Sequence, residues 1–246
     1  PVLDYGAAGE PDAGGALSPW FIKEAGTWHM YYVTAMNTGG PPGFIAAAPY
    51  NSGHASSRSL TGPWVKTKGY VPVRPKPEGA GYPQFMAYPG HIVKKPDGEY
   101  LMFFGSPGAI GIARTRNLLS EWKPDPAPLF DKHFDLENSS IYYEPANQTW
   151  FMFVNHIKAT DPMFTDAIWV FWTKNLDKWE SENRAIALDG TNCTWSKRCI
   201  GMATVTQIGN RLAMVYDAAG GESIDHLGRD VGIAWYDLPL TPPGRR

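Results

Sequence analysis

The sequence is poor in cysteine, in charge of either sign and in long apolar runs. Only 2 of its 246 residues are cysteines, and the formal net charge is −2 without a basic or acidic block. We expect no nucleic-acid partner, because binding to a phosphate backbone requires a basic patch. The longest apolar stretches, such as AIWVFW at 167–172, are far too short to cross a bilayer, so we expect no membrane partner either.

Several catalytic and structural motifs are also missing. The chain has no Walker loop, no Gly-rich dinucleotide fingerprint after a strand, no G-x-S-x-G elbow and no H-E-x-x-H. Cys193 and Cys199 lie in CTWSKRC, where a short disulfide loop and two separate thiols are both compatible with the spacing. Two cysteines alone make a poor metal site.

The sequence begins at Pro1, and its residues do not include a signal peptide. We expect a secreted or periplasmic protein from which a leader was removed, or a chain shortened at its N-terminus. The domain prediction is one domain over 1–246, with truncation at the N-terminus left open. The oligomeric state is not predicted.

Residues that suit turns and stacking surfaces are plentiful. The chain has 10 Trp, 12 Tyr, 26 Gly and 22 Pro, and aromatic residues make up 13% of it. This mixture is typical of a turn-rich β protein. Sugars bind to such surfaces because their C–H faces pack on aromatic rings.

A repeat runs along the chain, and its four copies each contain a turn, an aromatic residue or leucine, and then a methionine followed by two apolar residues. The methionines are Met30, Met102, Met152 and Met214, in GTWHMYY, GEYLMFF, QTWFMFV and NRLAMVY. Each copy follows a short apolar strand, at 20–22, 91–93, 141–143 and 203–205, and precedes a third strand. Three or four antiparallel strands per repeat predict β-propeller blades, with a β-sandwich as the alternative.

Residues 1–32, PVLDYGAAGEPDAGGALSPWFIKEAGTWHMYY, resemble the first blade of five-bladed propeller glycoside hydrolases. That superfamily includes family 43 (arabinanases and β-xylosidases), family 32 (fructan hydrolases) and family 117 (neoagarobiose hydrolases). The segments GIARTRNLLSEW and IWVFWTKNLDKW resemble later blade ends of the same proteins. The resemblance implies an all-β, five-bladed propeller. A fifth blade could come from the inserts at 50–85 or 180–200, from the chain ends, or from sequence upstream.

The resemblance also implies hydrolysis of a glycosidic bond by two carboxylic acids. Asp12, before the Pro19 strand, matches the family base, and Glu137, ahead of the strand at 141–143, has the placement of the general acid. An inverting enzyme holds its two carboxyls roughly 6.5–9.5 Å apart to leave room for water. The family's third carboxylate, which orients the acid and adjusts its pKa, has Asp217 as candidate here. Asp166 and a histidine are its rivals.

Other polar residues near the strand ends are expected to bind the sugar. They are His91, Asn138, His156, Asp217, His226 and Arg229. A neutral imidazole can bind a hydroxyl, exchange a proton or ligate a metal ion. Arg229 can grip an acidic sugar, or it can form a structural pair with Asp230. No cofactor is required, although a structural divalent cation near the propeller axis fits the family.

The sequence therefore predicts a glycosidase acting on plant or algal oligosaccharides or polysaccharides. Two alternatives stay open. A glycoside phosphorylase of a related propeller group needs several cations near the base, and a non-catalytic sugar-binding propeller keeps the aromatic residues without a paired acid and base.

Overall fold

A computed structural model describes residues 2–39, 46–158, 164–225 and 228–243 of the chain. Within these residues the regular secondary structure is entirely β, in fifteen strands. The chain divides into two compact units, one of Pro1–Pro107 with Gly111–Pro128 and the other of Gly108–Ile110 with Leu129–Arg246. The single domain over 1–246 stays a prediction.

The first two sheets have four strands each, joined in sequential antiparallel order. The first sheet consists of β1 (Gly15–Glu24), β2 (Thr27–Thr38), β3 (Ala46–Ser57) and β4 (Val65–Lys66). The second consists of β5 (Ile92–Lys94), β6 (Tyr100–Ser106), β7 (Ala109–Thr115) and β8 (Lys123–Pro124). Strand β6, YLMFFGS, is buried along its whole length, which explains its unbroken apolar sequence.

The third and fourth sheets follow the same pattern. The third consists of β9 (Leu136–Glu144), β10 (Thr149–Lys158), β11 (Phe164–Thr173) and β12 (Arg184–Asp189). The fourth has three strands within the described residues, β13 (Ile200–Ile208), β14 (Arg211–Ala219) and β15 (Arg229–Asp237). Each sheet is a meander of sequential strands, which is the arrangement of a propeller blade.

The methionine repeat is confirmed by the strand register. In every sheet the methionine of the second strand lies opposite an apolar residue of the first. The pairs are Phe21–Met30, Ile92–Met102, Ile141–Met152 and Val205–Met214. All four methionines are at most 2% exposed. The repeat therefore marks one buried position that recurs in each sheet.

An extra residue interrupts the first strand of three sheets. The register shifts fall between Leu17 and Trp20 in β1, at Asn138 in β9, and between Gly201 and Thr204 in β13. At each shift a residue has a left-handed backbone: Ser18 at φ 47°, Asn138 at φ 50° and Met202 at φ 55°. Such a bulge moves the residues before it to the other face of the sheet.

The predicted number of blades was wrong, since the described residues form four sheets and not five. The insert at 50–85 contributes the end of β3, the two-residue strand β4 and one isolated bridge, Lys76–Gln84. The insert at 180–200 contributes β12, which completes the third sheet. Both inserts therefore extend existing sheets, because their strands are short and pair with the blade that precedes them.

We expect Met102→Ala to lower the free energy of unfolding by about 2–5 kcal/mol, because it leaves a cavity at a fully buried position. Met36→Ala on β2 is the matched control, since Met36 is 55% exposed and its loss should cost less than about 0.5 kcal/mol. Urea denaturation of both variants measures the difference. Equal losses would show that the methionine register does not mark the core.

Candidate active site

Glu137 lies on β9 immediately before the bulge at Asn138. The bulge pairs Glu137 with Asn155 of β10, so both side chains leave the same face of the third sheet. Asn155 is fully buried, hydrogen-bonds the Glu137 carboxyl, and accepts a hydrogen bond from the Ala203 amide at 3.4 Å. Without the extra residue, alternation along the strand would send Glu137 to the opposite face.

The surroundings of Glu137 favour its protonated form. Burial raises the pKa of Glu137, and the negative charge of Asp217 raises it further. The hydrogen bond from Asn155 and the positive charge of Arg229 act in the opposite direction without cancelling the effect of burial. A carboxylic acid that keeps its proton to higher pH is suited to act as a general acid.

Arg229 and Asp217 form an ion pair between β15 and β14. The Arg229 Nη1 donates to Asp217 Oδ1 at 2.6 Å, and the Arg229 side chain is 9% exposed. The two residues are diagonal neighbours, because Arg229 pairs with Ala219 and Asp217 with Val231. The predicted sugar ligands Asp217 and Arg229 are thus brought together, and the charge of each affects the pKa of Glu137.

Asn138 occupies the bulge itself. Its side-chain amide donates to the sulfur of Met202 at 3.1 Å, and the Asn155 amide donates to the same sulfur at 3.2 Å. Met202 is the bulge residue of β13. The two bulges therefore contact each other through a side chain that the sequence suggested as a sugar ligand.

His156 and Asp166 form a second pair on the third sheet. Their Nδ1 and Oδ1 atoms are 2.6 Å apart, and the imidazole stacks on the indole of Trp169 with ring centroids 4.4 Å apart and planes 3° from parallel. A register shift places Asp166 beside His156, since His156 pairs with Ala167 and Ile157 with Thr165. Asp166, the rival third carboxylate, is thus a partner of His156. The predicted ligand His226 lies outside the described residues.

Asp12, the predicted base, lies in the first unit and is 4% exposed. Its Oδ2 accepts a hydrogen bond from the Tyr32 hydroxyl at 3.1 Å and contacts Lys66 Nζ at 2.6 Å. A side chain at Gly6 would overlap the other oxygen, Oδ1, which explains a glycine there. The carboxylate is therefore held in place from both sides.

Asp12 lines a cavity of about 560 Å³, large enough for a sugar unit. The cavity also has hydroxyl, imidazole and cationic groups on its walls, from Tyr32, His54, Lys66, Thr67, Lys68 and Arg74. The predicted ligand His91 packs against Trp20 with ring centroids 5.5 Å apart, and burial lowers the pKa of its imidazole. His91 is not among the residues that line the cavity.

Sequence reasoning missed three residues that contact or line these sites, namely Asn155, Lys66 and His54. Asn155 directly precedes His156, but its contact with Glu137 depends on a bulge that no sequence signal marked. Cys193 and Cys199 are buried free thiols. In the described part of the chain, no group of three or more His, Cys, Asp or Glu side chains could hold a metal ion, and no helix is long and apolar enough to span a membrane.

No family model and no curated protein matches the chain. Solved structures do match its fold. A thermostable family-43 glycoside hydrolase has a TM-score of 0.67 at 16% identity, covering 94% of this chain and 73% of its own. An endo-1,4-β-xylanase from Bacteroides thetaiotaomicron has a TM-score of 0.63 at 15% identity, covering 91% and 69%.

A third solved structure that the chain resembles is the Cellvibrio cellulosa α-L-arabinanase complexed with arabinohexaose. Its TM-score is 0.63 at 13% identity, covering 89% of this chain and 72% of its own. These likenesses support the β-propeller fold predicted from the repeat, with four blades described. At 13–16% identity they concern the fold alone.

We expect Glu137→Gln to be more stable than the wild type at pH 7. Because the pKa of Glu137 is raised in the folded state, the folded protein retains a proton that the unfolded chain has lost, and stability falls as the pH rises through this window. Below about pH 4, where the carboxyl is protonated in both states, the difference should vanish.

Urea denaturation at pH 4 and pH 7 measures this difference. Glu180→Gln is the control, because Glu180 lies on the surface beside Lys178 and should change stability by less than about 0.5 kcal/mol at either pH. Equal stability of Glu137→Gln and wild type at pH 7 would contradict a raised pKa.

Proposed function

We propose that this protein is a glycoside hydrolase acting on plant or algal oligosaccharides or polysaccharides, with Glu137 as its general acid. The observation that carries the proposal is the placement of Glu137 opposite the buried Asn155 and near Asp217 and Arg229, where burial raises the pKa of its carboxyl. Fold similarity to a xylanase and to an arabinanase complexed with arabinohexaose supports a polysaccharide of this class.

In the proposed reaction, Glu137 donates its proton to the glycosidic oxygen as the bond breaks. Asp217 is the proposed third carboxylate, since its charge raises the pKa of Glu137 and its ion pair with Arg229 fixes its position. Asn155 orients the acid by hydrogen-bonding its carboxyl. General acid catalysis of this kind typically contributes 10²–10⁴-fold to the rate.

Asp12 is the proposed base that activates water in a single displacement with inversion. Lys66 and Tyr32 bind Oδ2 and so orient the carboxylate for this role. His156 is the proposed sugar ligand of the second unit. Its Nδ1 is held by Asp166 and its face by Trp169, so Nε2 can be directed at a hydroxyl.

We expect Glu137→Gln and Asp12→Asn each to lower kcat by about 10²–10⁴-fold while the protein stays folded. Turnover is measured on arabinan, xylan, fructan and agar oligosaccharides, with the anomer of the product followed by NMR. An inverted product agrees with the single displacement, whereas a retained product contradicts it.

Glu144→Gln is the matched control, because Glu144 lies on the same strand but binds Tyr142 and the amides of Ala146 and Leu240. We expect its kcat to stay within a few-fold of wild type. Unchanged turnover in Asp12→Asn would remove Asp12 as the base, and unchanged turnover in Glu137→Gln would remove the general acid.

A glycoside phosphorylase is the second candidate function, favoured by one observation. The cations Lys66, Lys68 and Arg74 all line the cavity that contains Asp12. Lys66 is paired with Asp12, and Arg74 is 3.9 Å from Glu121 with both side chains exposed. A phosphorylase needs such cations near its base to bind phosphate.

If phosphate is the acceptor, wild-type turnover should require inorganic phosphate and release a sugar 1-phosphate. Lys68→Met should then raise the KM for phosphate by about tenfold or more, since a charge-assisted hydrogen bond is lost. Lys178→Met, on an exposed side chain of the other unit, is the control and should leave that KM unchanged. Turnover independent of phosphate would exclude this function.

A further inference from the structure

Two buried histidines of the first unit form a hydrogen-bonded chain with a threonine. His29 Nδ1 lies 3.0 Å from His54 Nε2, and His54 Nδ1 lies 2.8 Å from Thr67 Oγ1. His29 is 8% exposed and His54 is 1% exposed. Each link uses a different nitrogen of His54, so the imidazole joins its two partners in a line.

The strand register brings these residues together. His54 lies opposite Tyr31 and His29 lies opposite Ser56, which makes the two histidines diagonal neighbours on one face of the first sheet. Thr67 follows β4, and its amide donates to the His54 carbonyl at 2.9 Å. The hydrogen-bonded series therefore consists of one residue from β2, one from β3 and the residue that follows β4, and it runs across the sheet.

The two ends of this hydrogen-bonded series, Thr67 and His29, line different cavities. Thr67 and His54 line the cavity of about 560 Å³ that contains Asp12. His29 lines a second cavity of about 540 Å³, together with Glu24, Ser56 and Arg116. Because His54 uses Nδ1 of His29, the remaining nitrogen Nε2 is the one available to the second cavity.

Aromatic residues surround His54 without taking its nitrogens. Tyr31 and Tyr70 pack on its ring with centroids 5.0 and 5.6 Å away. Their hydroxyls donate elsewhere, that of Tyr31 to the Leu118 carbonyl and that of Tyr70 to the carbonyls of Leu118 and Ser120. The two ring nitrogens of His54 therefore form their hydrogen bonds with His29 and Thr67.

The surroundings of both imidazoles favour their neutral form. Burial lowers the pKa of His54 to about 4, and burial also lowers the pKa of His29. A neutral imidazole has one N–H and one lone pair. The nitrogens that face each other, His29 Nδ1 and His54 Nε2, must therefore share one proton, and the tautomers of the two rings are coupled.

We propose that His29, His54 and Thr67 form a proton relay between the two cavities of the first unit. In one state Thr67 donates to His54 Nδ1, His54 Nε2–H donates to His29 Nδ1, and His29 carries its proton on Nε2. In the other state every proton has moved one place, so that His54 Nδ1–H donates to Thr67 and His29 Nδ1–H donates to His54.

One passage through the relay moves one proton without any change of oxidation state. A hydronium ion in the Asp12 cavity protonates Thr67 Oγ1, and the threonine's own proton moves to His54 Nδ1. The His54 Nε2 proton moves to His29 Nδ1, and the His29 Nε2 proton leaves to a water molecule in the second cavity. Thr67 Oγ1 gains one bond to hydrogen and loses one, and each imidazole gains one at Nδ1 and loses one at Nε2.

NMR of the full chain labelled with ¹⁵N tests the relay without any substrate. We expect a scalar coupling between His29 Nδ1 and His54 Nε2 at pH 7, and exchange of both rings between the two complementary tautomers. This readout is independent of the proposed function, since loss of hydrolysis would not alter it. A single fixed tautomer, or the absence of the coupling, would overturn the relay.

Thr67→Val is the decisive variant, because the valine side chain has a similar shape but can neither donate nor accept a hydrogen bond. In this variant a proton on His54 Nδ1 would have no acceptor, which is unfavourable for a buried N–H. His54 should therefore keep its proton on Nε2, where His29 accepts it. We expect the tautomer ratio to shift by about tenfold or more. An unchanged tautomer ratio would show that Thr67 is not part of the proton relay.

Two controls accompany this variant. Thr67→Ser retains the hydroxyl and should retain the exchange. Thr34→Val makes the same change in the same cavity, at a buried hydroxyl that bonds no other residue among those described, and should also retain the exchange. A shift in Thr34→Val equal to that in Thr67→Val would show a general effect of the cavity and would contradict the relay.

Discussion

One extra residue in β9 is the constraint on which the Glu137 site depends. The bulge at Asn138 pairs Glu137 with Asn155 and so turns the carboxyl toward the face shared with Asn155. A non-glycine residue with a positive φ costs of order 1–3 kcal/mol, and asparagine tolerates that conformation better than most residues. The contact of the Asn138 amide with the Met202 sulfur helps to hold it.

The carboxylates of the candidate sites differ in how their negative charge is compensated. Asp12 is paired with Lys66, Asp217 with Arg229, and Asp166 with His156. At Glu137, burial outweighs the hydrogen bond from Asn155 and the field of Arg229. Glu137 and Asp217 interact, and an unequal environment for two such carboxylates is the usual way in which a protein keeps one of them protonated.

Much of the fold could be predicted because it depends on local patterns. The methionine repeat identified one buried position in each of four sheets, and the strand that precedes it in each copy was found where the turn signals placed it. The fifth blade could not be judged in this way, because the strand-like inserts at 50–85 and 180–200 pair with their own sheets. The local sequence of an insert does not determine which strand it will pair with.

The sequence by itself determined the periodic core and the residue types at the strand ends, since both follow from alternation and turn chemistry. Tertiary structure decided which polar groups meet. Lys66 reaches Asp12, Arg229 reaches Asp217, and His54 lies between His29 and Thr67. These contacts depend on strand register and on single-residue bulges, and a shift of one residue reverses the face to which a side chain points.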